Sequence, residues 1–229
     1  MSLRSKIIKT GWDHYARWYD RVQPKAIELL HFFGDFSFGE FQERLVELAN
    51  LRPGDKVLDV ACGTGAAHPA IARAIGPRGE LIGVDLSSRM LEQAKAKARR
   101  LKTSVEYLEA DAEELSSVFE KESFDAVISI NGLPQFPHPE KALHEMMLVL
   151  RPGGRFAVST ISRERCERKI FLWPLMKLAP RLWSSERFRR RVKELGLVHV
   201  KIIEEGIMLI ITGDKSAHPP RAGRPKGRF

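Results

Sequence analysis

The sequence predicts an α/β protein in which seven strands form a mainly parallel sheet with helices on both faces. Two observations lead to this class. Short apolar runs rich in Val and Ile alternate along the chain with stretches of helical periodicity, the pattern of repeated strand–helix–strand units. The last two apolar runs, 198–205 and 207–213, are separated only by Gly206, which predicts a C-terminal antiparallel hairpin.

The elements follow one another in a simple order. Two helical pieces precede the sheet, and the second ends in the phenylalanine-rich stretch 31–41. The later helices have serine at their starts, so Ser87 or Ser88 and Ser184 or Ser185 are the expected N-caps. The predicted strands are 56–61, 80–85, 104–110, 124–130, 155–160, 198–205 and 207–213, and the predicted helices between and after them are 66–75, 87–100, 138–150 and 184–197.

Three parts are expected along the chain. Residues 1–50 would form an N-terminal helical lid, and residues 51–213 would form the α/β domain. Within that domain, 161–184 is an apolar and basic insert that interrupts the strand–helix alternation and would cover a substrate site. Residues 214–229 are rich in Pro, Gly and basic residues without periodicity, which predicts a disordered tail.

Composition narrows the possible settings. Cys62 and Cys166 are too few and too far apart for a disulfide framework or a metal site, so we expect a cytoplasmic protein without a metal. No apolar run approaches the roughly 20 residues that span a bilayer. The net charge of +9 is concentrated in 163–193, where eleven Lys and Arg stand against three Glu. An anionic membrane surface and a nucleic acid are therefore both possible partners.

A glycine-containing turn and three aspartates are the candidate ligand-binding residues. In DVACGTGAA (59–67), Gly63 and Gly65 allow a tight strand-to-helix turn in which backbone approaches a ligand closely. Asp59, Asp85 and Asp111 belong to three successive strand ends, which meet at one crevice in a parallel sheet. A carboxylate ending the second strand is placed for ribose hydroxyls, and one following the third for an adenine edge. Any single acid could instead be a turn residue.

These residues resemble a known family. VLDVACGTG, LIGVDLSSRML, YLEADAEEL, FDAVISINGL and LHEMMLVLRPGGRF are similar, in order, to the motifs of class I S-adenosylmethionine-dependent methyltransferases. The resemblance is closest to the branch of the ubiquinone and menaquinone biosynthesis enzymes, covers about residues 50–215, and extends to WDHYARWYD as that branch's N-terminal helix. It implies a Rossmann-like sheet.

The resemblance also implies S-adenosylmethionine as cofactor. Asp59 would help to hold its amino group, Asp85 would bind its ribose hydroxyls, and a third glycine that NAD would require is replaced by His68. The implied cofactor contacts are Tyr15, Tyr19, Asp59, Ala61, Gly63, Gly65, Asp85, Leu86, Met90, Asp111, Ala112, Asn131 and Gly132.

The sequence says less about the methyl acceptor than about the cofactor. Many relatives have a histidine pair where this chain has Pro134 and Gln135. The two expected covering segments are aromatic, which favours a lipophilic or small organic acceptor such as a quinone precursor or a phospholipid amine, although the aromatics could simply pack the lid. Contact with a membrane surface is also expected. The candidate substrate contacts are Phe33, Phe36, Gln135, Phe171 and Trp173, and the weakly supported general bases are His14 and His138.

Two alternatives stay open. The basic segment allows nucleic-acid methylation, but NGLP at 131–134 lacks the Asn/Asp-Pro-Pro-aromatic pattern of enzymes that methylate base amino groups. A protein that binds the cofactor without turnover is the other alternative. The sequence sets no oligomeric state.

Overall fold

The computed structural model of the chain describes residues 3–29, 37–168 and 182–217. Four predicted acceptor contacts, Phe33, Phe36, Phe171 and Trp173, lie outside these residues, as do most of the predicted insert and most of the predicted tail.

The described elements alternate as expected. The strands are β1 Lys56–Val60, β2 Glu80–Asp85, β3 Ser104–Glu109, β4 Phe124–Ser129, β5 Leu150–Ile161, β6 Leu197–Glu205 and β7 Met208–Lys215. The helices are α1 Leu3–Leu29, α2 Phe38–Leu48, α3 His68–Ile75, α4 Ser88–Ala98, α5 Pro139–Val149, α6 Arg163–Glu167 and α7 Ser185–Glu194.

The strands form one seven-stranded sheet in the order β3-β2-β1-β4-β5-β7-β6. β1 to β5 pair in parallel, and β7 runs antiparallel between β5 and β6. The predicted fold class is therefore confirmed. The chain order reverses at β1, whose neighbours are β2 and β4, and ligands of open parallel sheets bind outside the carboxyl ends of strands at such a point.

Local chemistry explains where the helices start. The Ser87 hydroxyl accepts from the Met90 N–H and caps α4, and the Ser184 hydroxyl accepts from the Arg187 N–H and caps α7. In α2, Ser37 and Glu40 form a reciprocal capping box. Of each expected pair of serines, the first is the cap.

The core has two apolar layers, one on each face of the sheet. Successive residues of β1 point to opposite faces, so that Val57 belongs to one layer and Leu58 to the other. The Leu58 layer contains Trp183 and Phe188, both buried, while the Val57 layer contains Phe41 of α2. Trp183, near the end of the predicted insert, is thus part of the domain core.

The N-terminal region differs from expectation. The second helical piece was expected to end within 31–41, but α2 begins at Phe38. Its side chains Phe41 and Leu45 are buried against the sheet domain. The helix therefore packs on the domain, and α1 lies across the strand ends.

β3 is the edge strand of the sheet and is largely exposed, whereas the central strands are largely buried. One strand boundary differs from expectation. β7 continues beyond the expected boundary at 213, because Asp214 still pairs with Arg155 of β5 and Val198 of β6. The Lys215 ammonium then donates to the Leu150 carbonyl, so these two residues belong to the sheet and not to the tail.

None of the helices in the described part of the chain is long and apolar enough to cross a membrane.

Candidate active site

The turn after β1 has an unusual backbone. Ala61, Gly63 and Gly65 have φ values of 58°, 55° and 69°, in the left-handed region that favours glycine. The Cys62 N–H donates to the Val84 carbonyl at 3.0 Å, which fastens the turn to β2. The turn is thereby drawn across the carboxyl ends of β1 and β2.

Asp85, the last residue of β2, ties this turn to the next one. Its Oδ2 accepts from the Gly63 N–H at 2.8 Å, and its Oδ1 accepts from the Ser87 N–H at 2.9 Å. Burial raises the pKa of Asp85 to about 6, even though both N–H groups favour the charged form. Because a carboxylate has about four acceptor positions, Asp85 can still bind hydroxyl groups of a ligand.

Asp59, the last residue but one of β1, is nearly inaccessible, with 2 % of its surface exposed. Its Oδ2 lies 3.1 Å from His68 Nε2. Its Oδ1 is buried and has no hydrogen-bond partner among the described residues. An unsatisfied buried carboxylate oxygen is costly, and a cationic ligand group would satisfy it.

His68 and Tyr107 extend the contact behind Asp59. His68 Nδ1 lies 2.8 Å from the Tyr107 hydroxyl, which lies 3.3 Å from the Ala94 carbonyl. Sequence reasoning treated His68 only as the place of a missing glycine and did not single out Tyr107. The pairing joins α3 to β3, so only the tertiary structure reveals it.

The loop after β4 lies beside this turn. Asn131 has a φ of 58°, and its N–H donates to the Ser159 hydroxyl of β5 at 3.1 Å. A Cβ on Gly132 would lie 2.7 Å from Ser129 Oγ and 2.8 Å from the Ala61 Cβ. Glycine at 132 therefore allows the two loops to approach each other.

The inner face of α1 contacts the same strand ends. The Ser5 hydroxyl donates to Asp111 Oδ2 at 2.8 Å, and the Ser87 hydroxyl donates to Asp13 Oδ1 at 2.6 Å. Further along α1, Asp20 accepts from the Thr64 hydroxyl of the glycine turn at 2.7 Å. The helix is thus bonded to the ends of β1, β2 and β3.

A pocket of about 340 Å³, including space open to solvent, lies beside the glycine turn. Burial raises the pKa of the Tyr19 phenol and of the Cys62 thiol, and the nearby carboxylates raise both further, so both groups keep their protons at neutral pH. The pocket is lined by Tyr19, Phe38, Gln42, Asp59, Ala61, Cys62, Gly63, Thr64, Ala66, Ala67 and Ile130.

The predicted residues fall into two groups. Tyr19, Asp59, Ala61 and Gly63 line the pocket together. Gly65, Asp85, Asn131 and Gly132 belong to the turn, strand end and loop beside it, and Asp111 accepts from Ser5 of α1. The remaining four do not line it. Tyr15 stacks edge-on to Tyr19 with ring centres 6.0 Å apart, Leu86 accepts from Lys9 of α1, and Met90 and Ala112 are buried.

The two histidines and Gln135 do not join this group. His14 is exposed on α1, and since it precedes the buried Ala16 by two residues, it lies on the opposite side of the helix. His138 and Gln135 are also exposed, and the His138 N–H donates to Glu113 at the start of α5. The structure thus gives neither histidine a contact with the pocket.

Comparison with known proteins decides the family. The family described as a methyltransferase domain matches residues 51–194, more than half of the chain. The chain belongs to this methyltransferase family. S-adenosylmethionine, the cofactor that the sequence implied, is the one this family uses.

Individual relatives place the methyltransferase in the expected branch. It is 42 % identical over 146 residues to a demethylmenaquinone methyltransferase of Staphylococcus aureus, covering 64 % of this chain and 59 % of that one. It is 38 % identical over 120 residues to the ubiquinone/menaquinone biosynthesis C-methyltransferase UbiE of Ectopseudomonas mendocina, covering 52 % of this chain and 46 % of that one. The matches thus span about half the length of these relatives.

The fold agrees with solved methyltransferase structures. A SAM-dependent methyltransferase from Aquifex aeolicus superposes with a TM-score of 0.63 at 20 % identity, covering 83 % of this chain and 97 % of that one. At this identity the likeness concerns the fold alone.

Proposed function

We propose that the protein transfers a methyl group from S-adenosylmethionine to a lipophilic or small organic acceptor of the quinone-precursor type. The names of the two curated relatives support the acceptor class. The observation that carries the proposal is the buried, unpartnered Oδ1 of Asp59 beside the glycine turn. It is a buried anionic oxygen that a cationic ligand group in the pocket would satisfy.

The residues around the pocket fit the cofactor. Asp59 Oδ1 would accept from the ammonium of the methionine part, and Asp85 would accept from the ribose hydroxyls while keeping its bonds to Gly63 and Ser87. Asp111, which now accepts from Ser5, would turn toward the adenine edge. When bound, the cofactor supplies a methyl carbon activated by its sulfonium.

The chain's main contribution to catalysis would be alignment and exclusion of water. Orientation of this kind can contribute about 7–11 kcal/mol. The turns after β1 and β4 are fixed by hydrogen bonds and by the approach of Gly132 to Ala61, so they can hold donor and acceptor in line. Tyr19 and Cys62 remain protonated and can serve as hydrogen-bond donors but not as bases.

The acceptor side of the pocket is partly apolar. Phe38 from the start of α2 and Ile130 from the end of β4 line it, with Gln42 as a polar group nearby. A flat, largely apolar ring carrying one or two oxygen atoms suits such a wall. This is the chemistry of a quinone precursor.

The basic segment does not favour nucleic acid as the substrate. In its described part, several guanidinium groups are paired with acids. Arg187 lies 2.8 Å from Glu140 of α5, Arg165 lies 2.9 Å from Glu204 of β6, and Arg191 lies 3.4 Å from Glu194 of its own helix. Paired charges attract phosphates less than unpaired ones, so the high local charge overstates the affinity for RNA or DNA.

Contact with an anionic membrane surface forms part of the proposal. The outer face of α1 exposes Ile7, Trp18 and Val22 to 65 %, 50 % and 44 %. At about 100° per residue these three side chains lie within about 60° of one another. Among the described side chains of the same helix, the exposed basic residues are Lys6, Arg17, Arg21 and Lys25, and the acids Asp13 and Asp20 accept from Ser87 and Thr64. An apolar stripe beside basic residues suits an anionic lipid surface.

Methyl transfer is tested by incubating the purified chain with methyl-labelled S-adenosylmethionine and a reduced demethylated naphthoquinone. RNA and phosphatidylethanolamine vesicles serve as competing acceptors. We expect label in the naphthoquinol, and none when Asp85→Asn replaces the wild type. Label only in RNA would support the nucleic-acid alternative, and binding without transfer to any acceptor would support a non-catalytic protein.

Membrane contact is tested by co-flotation with vesicles. We expect the protein to float with phosphatidylglycerol and to stay behind with phosphatidylcholine, because about 1 kcal/mol per basic residue comes from anionic lipid. Trp18→Ala should weaken flotation. Val118→Ala, which shortens an apolar side chain 48 % exposed elsewhere on the surface, is the matched control. Equal flotation of both variants would contradict a role for α1.

A further inference from the structure

We propose that His68 is a positioning residue: with Tyr107 behind it, His68 fixes the carboxylate of Asp59 so that its free oxygen meets the cofactor's ammonium group. The proposal rests on the proposed function, because it assumes that the cofactor binds in this pocket. It assigns a role to a buried histidine and a partly buried tyrosine that the sequence motifs leave unused.

The imidazole is buried, with 1 % of the His68 surface exposed, between groups that hold both of its nitrogens. Nε2 faces Asp59 Oδ2 at 3.1 Å, and Nδ1 faces the Tyr107 hydroxyl at 2.8 Å. The two rings also pack together, with centres 5.4 Å apart. A histidine ring bonded at both ends cannot rotate without breaking a hydrogen bond, so it offers Asp59 a fixed partner.

The protons can be arranged so that His68 donates to Asp59 whether the imidazole is neutral or charged. With a neutral imidazole, the Tyr107 hydroxyl donates to Nδ1, and the Nε2–H donates to Asp59. With a charged imidazole, the Nδ1–H donates to the Tyr107 oxygen, and the hydroxyl donates to the Ala94 carbonyl 3.3 Å away. Burial raises the pKa of Tyr107, so its hydroxyl keeps the proton that both arrangements require.

The surrounding glycines make room for this ring. A Cβ on Gly65 would lie 2.7 Å from His68 Nδ1, and a Cβ on Gly83 would lie 3.1 Å from His68 Cε1 and 3.1 Å from Tyr107 Cδ1. Real Cβ atoms do not approach neighbours at 2.7 Å. Gly65 is therefore needed both for its positive φ and because a side chain there would clash with the imidazole. Gly83 in β2 likewise leaves room for the rings of His68 and Tyr107.

The two carboxylate oxygens of Asp59 have different roles, and this determines which of them is available to the ligand. His68 holds Oδ2, which leaves Oδ1 as the oxygen that is buried without a partner. A buried carboxylate oriented before the ligand arrives does not have to be reoriented during binding, so more of the ammonium–carboxylate attraction contributes to affinity. Losing the Nε2–H would cost binding of the ammonium while sparing the adenosine end.

The experiment compares two ligands by calorimetry on the full chain. S-adenosylhomocysteine carries the ammonium group, and 5′-methylthioadenosine lacks it. We expect His68→Leu to weaken S-adenosylhomocysteine by about tenfold, as expected for losing one hydrogen bond to a charged group, and to leave methylthioadenosine within twofold. His68→Gln keeps an N–H near the position of Nε2 and should recover part of the loss. Tyr107→Phe should show a smaller loss with the same ligand selectivity.

The outcomes separate the two proposals. Failure of the wild-type chain to bind S-adenosylhomocysteine would contradict the proposed function itself. Equal weakening of both ligands by His68→Leu, or of neither, would overturn the positioning role alone. Should His68→Leu fail to fold, Tyr107→Phe gives the same test, because it removes one hydroxyl and keeps the ring.

Discussion

The turn after β1 and the loop after β4 both leave buried central strands at the same edge of the sheet, but they are held very differently. The first is fastened by Asp85, by the β2 backbone and by the ring of His68. The second contacts the first through Gly132 and is bonded to β5 through Asn131, and the His138 N–H at its far end donates to Glu113, but the side chains of Gln135 and His138 are exposed. In the proposed function the cofactor would therefore meet a network of bonded groups, and the acceptor would meet side chains that project from a loop.

The difference implies that substitutions in the turn after β1 should alter cofactor binding and stability together, and that substitutions of the exposed side chains Gln135 and His138 should alter neither.

The largest effect is expected for Gly65→Ala. Its Cβ would meet His68 Nδ1 at 2.7 Å and the Ala94 Cβ at 3.2 Å, at a φ of 69°. Clash and backbone strain together should lower the free energy of unfolding by about 3 kcal/mol. Gly54→Ala is the matched control, because Gly54 also has a positive φ but an added Cβ meets nothing within 4 Å. If urea titrations show that both variants lose the same free energy of unfolding, a clash with the His68 imidazole does not explain the effect of Gly65→Ala.

A pH dependence comes next in size. Since burial raises the pKa of Asp85 from its usual value near 3.9 to about 6, the folded protein takes up a proton below pH 6 that the unfolded chain does not. The ligand-free protein should therefore gain stability from this group as the pH falls from 7 to 5. Cofactor binding should weaken over the same interval, because the ribose hydroxyls need an ionised acceptor.

Thermal melts and S-adenosylhomocysteine calorimetry at pH 5, 6 and 7.5 check both trends. Asp85→Asn should flatten them. A binding constant that does not change between pH 7.5 and pH 5 in the wild type would contradict the assignment of Asp85 to the ribose.

A smaller effect, in this case a gain in stability, is expected for Ala61→Gly. Ala61 has a φ of 58°, which strains a residue with a Cβ, so glycine should raise the free energy of unfolding by about 1 kcal/mol. Asn50→Gly is the control, since Asn50 has a φ of 51° but asparagine tolerates this region. Destabilisation by Ala61→Gly would mean that its methyl group packs more favourably than the strain costs.

The smallest effect is expected after β4. Gln135 is exposed, so Gln135→Ala should leave the free energy of unfolding within about 0.5 kcal/mol and S-adenosylhomocysteine affinity unchanged. If Gln135 meets the acceptor, only the acceptor KM should rise. A loss of cofactor affinity would show that the two loops are coupled, against the contrast drawn above.

The same contrast governs what the sequence could predict. Alternating apolar runs determine the strands of a parallel sheet, and glycines and acids at strand ends mark the crevice, so the fold and the residues near Asp85 followed from local patterns. His68 and Tyr107 did not, because they meet only when α3 packs on β3, and nothing in the spacing between them indicates contact.

The prediction for the phenylalanine-rich stretch 31–41 failed for a related reason. The phenylalanines of 31–41 were interpreted as a cover, but of the described ones Phe41 faces the core and Phe38 lines the pocket, because the capping box at Ser37 starts a helix there. The side of α1 on which His14 lies depends on which face packs against the sheet, and the sequence of one helix does not determine that face.

The proposed function requires that Asp59 and Asp85, the carboxylates beside the glycine turn, bind S-adenosylmethionine. Calorimetric titration of S-adenosylhomocysteine into the wild type, Asp85→Asn and the control Glu120→Gln, whose carboxylate is exposed and far along the chain, tests it most directly. We expect binding in the wild type and in Glu120→Gln, and affinity at least tenfold weaker in Asp85→Asn, because charge-assisted hydrogen bonds contribute roughly 1.5–3 kcal/mol each. Unchanged affinity in Asp85→Asn, or no binding to the wild type, would contradict the claim.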